Sequence, residues 1–358
     1  MRYFKQTQKI EKRIIENVQR ESLDPLNPIP CIFSTRPYVS VRIHFLYSMQ
    51  DLKILEREIV PPGRDQILIP IVYFIFIYFL HKILNFFTEN SKDSKNATTK
   101  QVITLSNEFL ASFSMTSLIL IKYDWDMYFG AMNLENFSTP IGTFIQCLFL
   151  AEISNGIGDP VLYYFSEMIK SNGFLHRHDL YHVFAVQITG SIVGGLTASY
   201  FWSMEISKMH WVHQMNYFDK PVSSISAGLA YGIFFETSAF FMLYLCDKAI
   251  ASRKFDKLTS NVSSKFGASR IKNVTSSLAI TGAVIWCVRE TGAPLSPTLA
   301  LGMNLYVWRK QPMTHLLTFW IFPAILMHFL ALFETSGKGV KVSEGKKKML
   351  EKIRKKVN

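Results

Sequence analysis

Seven apolar runs, each near the roughly 20 residues a helix needs to cross a bilayer, constrain this chain more than anything else in it. They cover residues 66–87, 105–123, 140–156, 180–202, 223–246, 270–288 and 314–333. Two further apolar segments are too short to span: DPVLYYFSEMI from Asp159, and SPTLALGMNLYVW from Ser296. Each opens with a residue that caps helix N-termini, Asp159 or Ser296, followed by proline at the first helical position, Pro160 or Pro297. That order is a strong local start signal for a helix. Glycine-bearing turns precede both, NGIG and ETGAPL. The chain is therefore expected to stop, turn and start a half-helix inside the membrane, twice. Such breaks are tolerated at membrane depth only where protein or a water-lined cavity receives the freed backbone groups.

Interrupted segments at matching places in two halves mark an inverted repeat, with a site at its midline. Other matches run in the same order. Glu108 begins EFLASF and Glu236 begins ETSAFF, with Glu, Ala and Phe at equal offsets. The proline-started segments follow 51 and 60 residues later. AVQITGSIVGG and FWIFPAILM occupy corresponding later places. Ionisable side chains at membrane depth turn inward and need partners. Glu108 and Glu236 are thus expected to be buried supports, accepting hydrogen bonds from the backbone of the half-helix turns. For Glu108, beside Ser106 and Asn107, an interfacial position is the alternative.

Composition agrees with one membrane domain and polar ends. The chain has 358 residues, 49% apolar and 29 of them Phe, with a formal net charge of +12. Much of that charge is terminal: residues 338–358 hold nine Lys or Arg against two Glu. Such a tail suits the cytosolic face of a membrane better than nucleic acid. The organisation read from this is a polar basic extension (1–65), an extra hydrophobic helix (66–87), a channel domain (105–335) and a basic cytosolic tail (336–358). Cys31, Cys147, Cys246 and Cys287 form no CxxC pair, and the charged N-terminus is no cleavable signal peptide.

EFLASF, the two proline-started half-helices, AVQITGSIVGG, TGAPLSPTLALGMN and LLTFWIFPAI, in that order, resemble the aquaporins (major intrinsic proteins), and within them the unorthodox aquaporin-11 and -12 type. The resemblance covers about residues 105–335, and TGAPLSPTLAL is its most specific part. It implies an all-α membrane fold: an inverted repeat of six transmembrane helices plus two re-entrant half-helices, here with an extra N-terminal helix. It also implies a homotetramer and passive conduction of water or small neutral solutes such as glycerol and hydrogen peroxide, with no reaction and no cofactor. Asp159-Pro160-Val161 and Ser296-Pro297-Thr298 then stand where the family has its two Asn-Pro-Ala motifs. Both depart from that pattern, lacking the asparagine and the alanine. An ionised aspartate only accepts hydrogen bonds, where asparagine also donates, and its charge would offset part of the positive field that excludes cations. Leu299 stands where most members place a filter arginine, so the filter is expected to be wider and less polar, unless Arg289 or another side chain intrudes.

The family topology puts the basic loop 247–270 and the tail in the cytosol, and the acidic loop 124–139 on the far side, in accord with the positive-inside rule. Asn136 is then a lumenal glycosylation candidate; Asn96, Asn261 and Asn273 are sequons on the other side or in the membrane. The helix over 66–87 conflicts with this if it spans, because the basic N-terminus would then lie outside; the alternative is a surface or re-entrant helix. Lys355 and Lys356 sit where a dilysine retrieval signal is read, pointing to the endoplasmic reticulum or another intracellular membrane, with the plasma membrane as the alternative. Rival functions are a non-conducting structural membrane protein and a cation-tolerant channel through Asp159. An enzyme reading starts from His178 and His182 at i, i+4 and His210 and His213 at i, i+3. Without the doubled histidines of a membrane di-iron site, these are expected to be interfacial histidines.

Overall fold

The computed structural model describes residues 65–90, 97–131, 134–171, 177–207, 210–214, 217, 225–226, 228–308 and 311–337. The N-terminal extension, Cys31, and the tail with Lys355 and Lys356 lie outside them.

The described chain is helical. In order, α1 spans Asp65–Asn90, α2 Ala97–Ile121, α3 Tyr123–Ala131, α4 Glu135–Ile153 and α5 Pro160–Lys170. Then come α6 Arg177–Ser203, α7 His210–Gln214, α8 Leu229–Ile250, α9 Arg253–Phe266 and α10 Ala268–Thr291. The last are α11 Pro297–Met303, α12 Pro312–His315 and α13 Phe322–Gly337. Six stretches are long and apolar enough to cross a membrane: Gln66–Glu89, Thr98–Asp126, Leu180–Ser203, Leu229–Ile250, Ala268–Thr291 and Pro312–Ser336. A shorter apolar helix covers Phe137–Ile153. Outward faces of these helices expose large apolar side chains, such as Phe79, Tyr200, Phe234 and Phe329. That suits contact with lipid, where apolar residues gain nothing by hiding.

Packing repeats with the expected inverted symmetry. In the first half α2 packs chiefly on α6; in the second α8 packs on α10 and also on α13. The half-helix α5 lies on α13, and α11 lies on α6, so each half-helix packs mainly on the other half's helix. α4 and α10, the middle helices, pack on one another. The six helices and two half-helices of the expected fold are all present, together with the extra helix. That helix, α1, is 26 residues long and packs on α2, α3 and α4. Its length, about 39 Å at 1.5 Å per residue, suits crossing rather than re-entry.

Close approach of α2 and α6 depends on glycine. A Cβ at Gly190 would run into the Phe109 carbonyl, and one at Gly194 into the Phe113 carbonyl. These glycines are four apart in the GSIVG run, the small-residue spacing that lets membrane helices touch backbone to backbone. The described core includes Phe113, Leu118, Ile121, Ile153, Ala198 and Trp202 in the first half, Ala239, Ala283, Val284, Cys287 and Leu295 in the second, and Val161, Phe240 and Met327 between the halves.

Several boundaries differ from the sequence reading. α2 begins at Ala97 rather than near 105, because polar residues of its first two turns end the apolar run without ending the helix. α11 ends at Met303, short of Trp308, where the Asn304 side chain turns back to the Ala300 carbonyl at 3.0 Å. A π-helical turn, Leu316–Ile321, precedes α13. Pro323 follows it; its missing N–H and its ring displace the regular α pattern one turn earlier.

Candidate functional site: the two half-helix starts

Both half-helices start by the same local chemistry. The Asp159 carboxylate accepts from the Leu162 N–H at 2.7 Å, and the Ser296 hydroxyl from the Leu299 N–H at 3.4 Å. Each cap has extended backbone and proline follows it. The residue before each cap is left-handed: Gly158 at φ 69° and Leu295 at φ 49°. Glycine takes that conformation freely, whereas a leucine is strained there. Ala293, two residues earlier, is also left-handed at φ 51°, so the second turn is the more strained.

The turns are held from beneath by two buried carboxylates. Glu108, on α2, accepts from the Gly158 N–H at 2.9 Å, from the Ile157 N–H at 3.1 Å to both oxygens, and from the Gln187 amide at 2.8 Å. Glu236, on α8, accepts from the Thr291 hydroxyl. Thr291 also accepts from the Ala293 N–H at 3.2 Å. Neither glutamate is interfacial: Glu108 is 4% exposed and Glu236 0%.

The two starts meet. Thr298 donates to the Gly158 carbonyl at 3.0 Å, across 140 residues of chain, and Ser112 donates to the same carbonyl at 2.6 Å. Thr298 gives its proton to Gly158, so in the 3.0 Å bond between the two hydroxyls Ser296 donates to Thr298. Behind α11, Ser191 donates to the Thr298 carbonyl and is bonded to Thr116 at 2.8 Å. Asp159, Pro160, Val161, Ser296, Pro297, Thr298 and Leu299 are all buried. One carboxylate oxygen of Asp159, Oδ2, accepts no hydrogen bond from the described residues. Arg289, weighed as a filter residue, is exposed at the end of α10, where its carbonyl takes the Ser226 hydroxyl.

Sequence reasoning missed a second buried cluster at the C-terminal ends of α2 and α6. The fully buried Asp124 carboxylate meets His213 Nε2 at 2.9 Å and His210 Nε2 at 3.2 Å. His210 and His213 are therefore core residues tied to a carboxylate. Trp202 stacks on His213, and Tyr217 packs edge-on against Trp202 and donates its hydroxyl to the Gly302 carbonyl in α11. The α6–α8 connection is thereby anchored to the second half-helix. Its signal in sequence was only the i, i+3 histidine pair; the partner is 86 residues away. His182 is exposed, and no three His, Cys, Asp or Glu side chains among the described residues, this cluster included, are placed to hold a metal ion. Asn136 is the second residue of α4.

The extra helix also reaches the site. Asn85 of α1 accepts from the Asn155 amide, in the turn before α5, at 2.6 Å. His81 of α1 bonds Ser114 of α2 at 3.0 Å, and both are buried.

Comparison with solved structures finds the X-ray structure of the aquaglyceroporin from Plasmodium falciparum, 17% identical, covering 68% of this chain and 98% of that one, with a TM-score of 0.44. No family model matches the chain, and no curated protein matches it.

Proposed function

We propose that the chain is a passive transmembrane channel of the aquaporin type, conducting water or small neutral solutes such as glycerol or hydrogen peroxide between the two half-helix starts. The observation that carries this is the head-to-head meeting of two capped half-helices inside a helix bundle, supported by paired glutamates. A bundle that needed only stability would have no use for two broken segments, each costing buried backbone groups that must be re-satisfied. Asp159, Pro160, Val161, Ser296, Pro297 and Thr298 are its pore motifs, Leu299 its filter position, and Glu108 and Glu236 its supports. Leucine at the filter position favours neutral solutes over strict water selectivity. Conduction of this kind needs no reaction and no cofactor. A homotetramer, Asn136 glycosylation, and residence in the endoplasmic reticulum directed by Lys355 and Lys356 belong to the same reading.

The experiment is stopped-flow light scattering on proteoliposomes, comparing osmotic water and glycerol flux with empty vesicles and with Ser296→Trp as the blocked channel. Flux above empty vesicles, lost in the tryptophan variant, is expected. No flux of water, glycerol or peroxide from folded protein would sink the proposal.

A second reading, a structural membrane protein with a closed centre, draws on one observation: Thr298 is bonded directly to Gly158, and Asp159, Ser296 and Thr298 are at most 3% exposed. The same flux measurement separates the two. A cation leak through Asp159 is a variant of the first reading. Asp159→Asn should abolish such a current and leave neutral flux intact, and a persisting current excludes this version.

A further inference from the structure

The channel reading makes no use of α9. Only Ala251 and Ser252 join it to α8, and only Gly267 joins it to α10. Links that short keep the helix at the membrane boundary, where α8 and α10 leave the bilayer. One side faces the protein. Phe255 and Thr259 are half-buried, and Asp256 pairs with Lys272 of α10 at 3.1 Å. The other side carries an unusual combination. Leu258 is 84% exposed, with Lys257 beside it and Lys254 one turn before, both exposed. Neither lysine has an ion pair among the described residues. At 3.6 residues per turn the sequence places Val262 and Lys265 near the same side as Leu258.

On a water-facing helix, apolar residues turn inward and lysines outward. Here a leucine stands out with the lysines. That combination suits the headgroup zone of a membrane, where an apolar side chain enters the acyl boundary and lysine stems reach lipid phosphates. The lysines complement an anionic leaflet, and the basic character of the whole loop 247–270 points the same way. We propose that α9 is an interfacial helix that docks on anionic lipid, inserting Leu258 at the acyl boundary and setting Lys254 and Lys257 against the phosphates.

The test uses the full chain with its four cysteines replaced by serine and Leu258→Cys carrying an environment-sensitive fluorophore. It is reconstituted into phosphatidylcholine vesicles with or without phosphatidylserine. Quenching by shallow nitroxide lipids should be several-fold stronger than by aqueous iodide. The preference should grow with phosphatidylserine and shrink when Lys254→Glu and Lys257→Glu are added. If the cysteine-free chain does not fold, hydrogen exchange of the unmodified protein in nanodiscs replaces it. Amides of α9 should then exchange several-fold more slowly when the disc contains phosphatidylserine. Iodide quenching that ignores lipid composition, or exchange that does, would overturn the proposal. Either would make this face one for water or a soluble protein.

Discussion

Replacing Glu108 tests the support of the first half-helix directly. Its carboxylate is the shared acceptor for three donors: the buried Gly158 N–H and Gln187 amide, and the part-buried Ile157 N–H. Glu108→Ala strands the two buried donors. A stranded buried donor costs about 1–3 kcal/mol. The plain sum for two is about 2–6 kcal/mol, and because they share one acceptor and the turn relaxes, about 3–5 kcal/mol is expected. Glu108→Gln keeps the shape and one oxygen. That oxygen can serve Gly158 and Gln187, but the new NH2 then faces the Ile157 N–H, at a cost of about 1–3 kcal/mol. Reversible unfolding in mixed detergent–SDS micelles, followed by tryptophan fluorescence, measures both. The ordering wild type, glutamine, alanine is the expected result. Solute flux should fall with stability, because the turn that starts the first half-helix is no longer held. An alanine variant within about 1 kcal/mol of wild type, or indistinguishable from glutamine, would show that Glu108 does not hold the turn.

Three other changes probe the same architecture. Gly158→Ala places a Cβ 3.0 Å from the Ser112 nitrogen at a φ of 69° and should cost about 2–4 kcal/mol by strain and overpacking, read in the same micelle assay. Thr298→Ala removes the direct bond between the half-helices while Ser112 still serves the Gly158 carbonyl. Stability should drop by about 1 kcal/mol, and vesicle flux should rise. Asp124→Ala leaves His210 and His213 without their shared acceptor and should cost about 2–5 kcal/mol, with limited proteolysis newly cutting the α6–α8 connection.

What could be read in advance was local. The starts of α5 and α11 are fixed by residues within one turn of each other, so Asp159 with Pro160 and Ser296 with Pro297 announce them. Apolar run length located the spanning helices, though it mistook the end of apolarity for the end of the helix at the start of α2. The pairings that assemble the site join distant segments: Glu108 to Gln187, Asp124 to His210, Asn85 to Asn155. Each member looks ordinary in its own neighbourhood. A buried carboxylate announces that a partner exists, which is why the glutamates were noticed. It does not say which residue that partner is.

The two halves use one design with different materials, and the difference locates where change is tolerated. In the first half the left-handed residue before the cap is Gly158, and Glu108 satisfies two successive backbone N–H groups of the turn itself. In the second it is Leu295, and Glu236 works partly through the Thr291 hydroxyl, which in turn takes the Ala293 N–H. A direct support suits an unstrained turn. A turn with Ala293 and Leu295 both left-handed needs packing as well, and it has it: both side chains are buried with Ala239, Ala283 and Cys287. The first turn is thus held by hydrogen bonds to one carboxylate, the second by a hydroxyl relay and a tight apolar wall. Loss of the glutamate should therefore be more damaging in the first half, and loss of core volume in the second.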